Sequence, residues 1–150
     1  MRVRLRAEVL SDLAAMEPHV ERIRRFLASA SPADQDTLAA IAVALHHGYV
    51  ALQSAMERVA RAFEGMGPAG STWHRDLLHQ MMLPMDTIRP AVLSPSLREA
   101  LTELLSFCHV FRHAYAATLR ETRLRELSEL FLEAMPEAAS ALRAFADALI

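Results

Sequence analysis

Apolar side chains in this chain recur every three or four residues, and that spacing constrains it to helices. Leu5, Val9, Leu13, Met16, Val20, Ile23 and Leu27 form one such series. A helical residue advances by about 100°, so the seven share one face of a helix over residues 3–30. Pro18 falls inside it and removes an internal hydrogen bond, which predicts a kink or two abutting helices. Leu38, Ile41, Leu45, Tyr49, Leu52, Met56, Val59 and Phe63 form a second series and predict a helix over residues 32–64. Ser31-Pro32 supplies its opening signal, a capping hydroxyl followed by proline in the first turn. No run of alternating β-branched residues reads as a strand.

The segment 65–70, Gly-Met-Gly-Pro-Ala-Gly, is a loop. Ser71 can cap a short third helix carrying Trp73, Leu77, Leu78 and Met81, stopped by Pro84. An irregular piece containing Arg89-Pro90 follows over 85–93. Ser94-Pro95 repeats the capping signal and predicts a fourth helix over 95–119. A fifth begins near Thr122 and is kinked or split at Pro136. The expectation is an all-α, up-and-down bundle of four to six helices, with residues 1–150 as one domain. The connections at 64–71 and 85–94 are longer than a bundle needs, and long connections are often functional.

Hydrophobic residues make up 53% of the chain, the upper edge for a globular protein, so a partner is expected to cover some apolar surface. All 16 cationic side chains are arginine and the net charge is −2. A uniformly basic nucleic-acid coat is excluded, and any RNA contact must be local. The single cysteine, Cys108, rules out an intrachain disulfide. The apolar stretch 41–45 ends at His46 and His47, far short of a membrane span. Glu8 and Asp12 interrupt the N-terminal region, which does not read as a signal peptide. A cytoplasmic protein without a membrane segment is expected.

The densest chemistry lies between Leu105 and Tyr115. On a helix, Cys108, Arg112, His109 and His113 fall at about 0°, 40°, 100° and 140°, with Tyr115 about 20° to the other side. Two imidazoles, a guanidinium, a phenol and a thiol then share less than half the circumference. A lone histidine on a helix is more often a core residue than a catalyst; here the neighbours change the balance. His109 and His113 also have a spacing that suits zinc. Val110 stands where the metalloprotease pattern has glutamate, and no cysteine pair completes a structural site, so no metal and no cofactor are expected. His46 and His47 are adjacent and point about 100° apart. His74 and His79 flank Trp73, which reads either as a residue packed on the bundle or as a stacking platform for a base. Met81, Met82 and Met85 read as core filler.

This stretch resembles the motif of HEPN ribonucleases: arginine, a polar residue, three further residues, then histidine. HepT-like members extend it with one residue and tyrosine. Here the polar residue is His109, the histidine is His113 and the tyrosine is Tyr115; Cys108 occupies the arginine position, a departure from the pattern. Leu45-His46-His47-Gly48-Tyr49 is similar to a second family pattern. Pro68, Gly70, Ser71, Trp73, His74, Leu77 and Leu78, and then Arg89-Pro90-Ala91-Val92, are similar to segments of one HepT-like subgroup. The resemblance spans roughly residues 39–119.

What it implies is a HEPN-like bundle acting as a homodimer: the endoribonuclease toxin of a HEPN/nucleotidyltransferase toxin–antitoxin pair. Such a toxin cleaves cellular RNA, with tRNA a candidate, without metal, by attack of a ribose 2′-hydroxyl on the adjacent phosphate. His113 is then general base or acid, with His109 beside it, and an arginine holds the phosphate. A thiol at Cys108 cannot do that; Arg112, one turn on, can. The implied partner is a minimal nucleotidyltransferase antitoxin, which in some pairs transfers AMP to the motif tyrosine, here Tyr115. Cys108 also leaves open a catalytically silent HEPN-like dimer serving as a binding or regulatory module. A helical metal or ligand carrier using the histidines is a third reading.

Overall fold

The computed structural model describes residues 1–65, 67–113 and 118–150, His113 by its backbone alone. Among the described residues there are five α-helices: α1 (Arg2–Ala28), α2 (Gln35–Glu64), α3 (Trp73–Met81), α4 (Arg98–His113) and α5 (Glu121–Asp147). The described residues form an all-α bundle. Among the described residues the only ladder-like pairing is an isolated bridge between Met85 and Arg89.

Neither proline divides its helix. α1 runs through Pro18 and α5 through Pro136. Pro18 is exposed, as is Ala14, whose carbonyl loses its partner, so the missing hydrogen bond falls on the solvent side. Buried Met16 and Val20 hold α1 to the core on either side of it. Met135 and Ala138 do the same around Pro136.

α2 begins three residues later than Ser31-Pro32 suggests. Asp34 is the cap, its carboxylate accepting from the Thr37 N–H at 2.8 Å. A carboxylate is favoured there because the first turn presents unpaired N–H groups and the positive end of the helix dipole. The Ala33 N–H donates to Glu121 Oε1 at 2.8 Å, tying the α1–α2 connection to the start of α5. Thr72, not Ser71, stands at the cap position of α3, and it makes no capping hydrogen bond there. Ser94 does cap, but it caps a single 3-10 turn, Pro95–Leu97, which leads into α4. α4 is shorter than the expected 95–119: residues 118–120 are non-helical, and 114–117 lie outside the described residues.

α2 is the central helix and packs against α1, α3, α4 and α5. Leu38, Ile41, Leu45, Tyr49, Leu52, Met56 and Val59 are all buried, as their spacing requires. Phe63 is half-buried, edge-on to Phe145 with ring centroids 5.5 Å apart. In α1, Phe26 takes the core position expected of Leu27. By length and composition α2 passes for a membrane span, contrary to the shorter stretch read from the sequence. However, 56% of its most apolar window is buried within the bundle, as a core helix requires.

Candidate functional site

α4 turns Leu101, Leu104 and Cys108 into the core and leaves Ser106, His109, Val110 and Arg112 exposed. The residues at three- and four-residue spacing are the buried ones, so the helix divides the motif. Cys108 goes inward, whereas His109 and Arg112 stay outside. Cys108 is 3% exposed. Burial pushes its thiol up to about 12, against the opposing pull of Arg112, so the thiol is neutral and inert near neutral pH. Its buried neighbour is Tyr49, whose hydroxyl has no hydrogen-bond partner among the described residues and is pushed upward by burial. An apolar pocket of this kind suits a thiol and not a guanidinium. Of the other motif residues, the side chain of His113 and the whole of Tyr115 lie outside the described residues.

Two histidines from other helices join the motif face. His46, on α2, packs its ring against Phe111 of α4, centroids 5.9 Å apart. Burial lowers the pKa of His46, and the charges of Arg112 and His47 lower it further. Its Nδ1 is buried with no hydrogen-bond partner among the described residues. His47 continues the row, 5.6 Å from His46 and 5.6 Å, edge-on, from His19 of α1.

His74, on α3, lies across from α4. It lines a concavity of about 280 Å³ with Ser71, Thr72, Arg75, Leu105, Ser106 and His109. Its Nδ1 is 2.8 Å from Gln53 Oε1, and Gln53 is itself only 7% exposed. One face of its ring is covered by Trp73, centroids 3.6 Å apart at 30°. Burial lowers its pKa, with Arg112 and His109 adding to the effect. Trp73 is half-buried and also lines a separate concavity with Glu57, Arg61 and Pro68.

The motif face therefore gathers His109 and Arg112 from α4, His46 from α2 and His74 from α3. Neither His46 nor His74 stands out in sequence as a partner of the motif. One signal was available: His46 and Gln53 are seven residues apart, so two helical turns place both on one side of α2. A larger concavity, about 710 Å³, lies between the end of α1 and the start of α2. Its arginines, Arg22 and Arg25, share its walls with Asp34 and Asp36, and no histidine lines it. The N-terminal arginines are engaged elsewhere, Arg4 with Glu8 and Arg6 with Asp147, both at 2.8 Å. Among the described residues no group of three or more His, Cys, Asp or Glu side chains is placed to hold a metal ion.

Among the described residues the exposed face of α4 carries the imidazole of His109 and the guanidinium of Arg112 on an all-α bundle. The family model described as HepT-like protein matches residues 40–149, and the chain belongs to that family. α1 lies wholly before the matched segment but packs directly against α2 and α5. No curated protein and no solved structure matches the chain.

Proposed function

We propose that this protein is an endoribonuclease of the toxin type, cleaving cellular RNA, tRNA among the candidates, by attack of a 2′-hydroxyl on the adjacent phosphate, without metal. The observation that carries the reading is the exposure of Arg112 and His109 on α4, with His109 lining one concavity together with His74 of α3. Arg112 holds the phosphate, taking the role that Cys108 cannot fill; its fork suits two phosphate oxygens. Imidazoles carry the two proton transfers, and α4 supplies at least one of them through His109 or, by its motif position, His113. Membership of the HepT-like family supports a toxin of a toxin–antitoxin pair; we extend this to a cytoplasmic homodimer, a nucleotidyltransferase antitoxin and Tyr115 as the AMP acceptor. Incubation with the cognate nucleotidyltransferase and ATP should add one AMP mass to a peptide containing Tyr115; an unmodified Tyr115 removes that part of the reading.

The burial of Cys108 favours a second reading, a catalytically silent dimer that binds or regulates. Cleavage of total RNA in excess EDTA separates the two. The enzyme reading expects the native chain to cut, Arg112→Gln and His113→Ala to fail, and 2′-O-methylated RNA to resist. A native chain that leaves RNA intact selects the binding module.

A further inference from the structure

His74 is held more firmly than a surface histidine needs to be. Gln53 reaches it from the interior of α2, and Trp73 lies over its ring. The Gln53 Oε1 is a carbonyl oxygen and can only accept, so Nδ1 is the protonated nitrogen. The neutral ring then carries its lone pair on Nε2. A buried amide that selects the tautomer and an indole that fixes the plane together orient a base, in the way outer hydrogen bonds orient catalytic histidines elsewhere. The cavity that His74 lines is shared with His109 on α4 and Arg75 on α3. The charged groups bearing on it are Arg112 and His109, both of which favour the neutral ring. On α3 itself, Asp76 accepts from the Thr72 hydroxyl at 3.0 Å.

We propose that His74 is a catalytic residue of the nuclease centre, the general base, and that Gln53 is its positioning residue. The inference rests on the ribonuclease reading above and assigns it a group from outside the motif helix. In the step, Nε2 of His74 takes the 2′-hydroxyl proton as the 2′-oxygen forms a bond to phosphorus. The bond from phosphorus to the 5′-oxygen breaks, and the leaving oxygen takes a proton from the imidazolium of His109 across the cavity. The products are a 2′,3′-cyclic phosphate and a free 5′-hydroxyl, and no further reactant is required.

The test is cleavage of total RNA in EDTA by the native chain, His74→Ala and Gln53→Leu, each first shown to keep its helical content and melting transition. General-base loss of this kind lowers a rate by about 10²–10⁴-fold. The expectation for His74→Ala is a loss in that range, partly restored by added imidazole. Gln53→Leu should cut more slowly and move the acid limb of the pH–rate profile. The protein's one tryptophan supplies a readout independent of cleavage. An imidazolium stacked on Trp73 quenches its fluorescence, so the titration of His74 appears as a pH-dependent emission change that His74→Ala abolishes and Gln53→Leu shifts. Native-rate cleavage by His74→Ala overturns the base and leaves the ribonuclease reading standing. Loss of activity in a folded His74→Ala without imidazole rescue also overturns it. A native chain that cuts no RNA overturns both readings together.

Discussion

Arg89 and Glu64 form an ion pair sealed inside the protein: Nη2 lies 2.5 Å from Oε1, and the two side chains are 0% and 8% exposed. The same guanidinium donates to the carbonyls of Gln80, Leu83 and Pro90, at 3.0, 3.1 and 3.0 Å. One arginine thus fastens the end of α2 to the turn that follows α3. The N–H groups of Val92 and Leu93, donating to the Met81 carbonyl at 2.8 and 2.9 Å, close the same turn. This is what holds α3, and so His74, against α2 and α4.

Arg89→Met keeps most of the stem volume but leaves Glu64 buried without its cation and three carbonyls without donors. Removing one partner of a buried pair costs about 3–5 kcal/mol. Urea unfolding of Arg89→Met should show a loss of that size. Arg89→Met combined with Glu64→Gln should recover part of it, because no unpaired buried charge remains.

Gly48 is where α2 meets α5. A Cβ built there would lie 2.5 Å from Phe131 Cζ and 2.8 Å from Cε2, and Phe131 is fully buried. Alanine is favoured over glycine in a helix by about 1 kcal/mol, but overpacking a close-packed core costs about 1–3 kcal/mol. Gly48→Ala should therefore lower stability on balance, and a thermal melt showing a raised transition would contradict the contact.

Arg112 depresses the pKa of both His46 and His74. Arg112→Gln removes that positive charge, so both histidines should titrate at higher pH, visible for His74 in the Trp73 emission and for His46 by NMR. Loss of a phosphate-holding donor costs roughly 10²–10³ in rate, and RNA cleavage by the same variant should fall by that factor.

Stability should decline on mild acidification. His19, His46 and His74 all have folded pKa values below the ordinary histidine value, burial being the largest cause in each. Between the folded and unfolded pKa values the unfolded chain binds more protons, so stability rises with pH there. The contribution is complete above about 6.5 and is lost as pH falls from there towards the folded values. The lowered carboxylates Asp34 and Glu121 act only further down, below the ordinary carboxylate value. Melting temperatures measured from pH 8 to pH 5 should fall below 6.5, as in the window just given, and His46→Gln should reduce the slope.

Cys108 should resist modification. Its thiol is buried and pushed up to about 12, so a thiol reagent at mild alkaline pH reaches it only through local opening. Alkylation in native buffer should run roughly a hundredfold slower than in denaturant, the protection of a group exposed by an opening of a few kcal/mol. Rapid native labelling would show that the motif face of α4 is turned outward at this position.

The helical class, the number of main helices and most core residues were legible in the sequence, because a helix's buried stripe is written at three- and four-residue spacing. Leu38 through Val59 are buried as that rule requires. The motif itself was legible too, since Cys108, His109, Arg112 and His113 lie within six consecutive positions. Helix boundaries were less so: Asp34 and Ser31 are both good caps, and the choice rests on Ala33 being tied to Glu121, 88 residues away. The prolines at 18 and 136 read as kinks or breaks, and packing on both sides of each keeps its helix continuous. Only the tertiary structure decided which side of α4 faces the core, and so which motif residues remain available. It alone brought Gln53, His74 and His109 together from three helices. Periodicity records which face of each helix is buried, but it carries no record of what the opposite face meets across a groove.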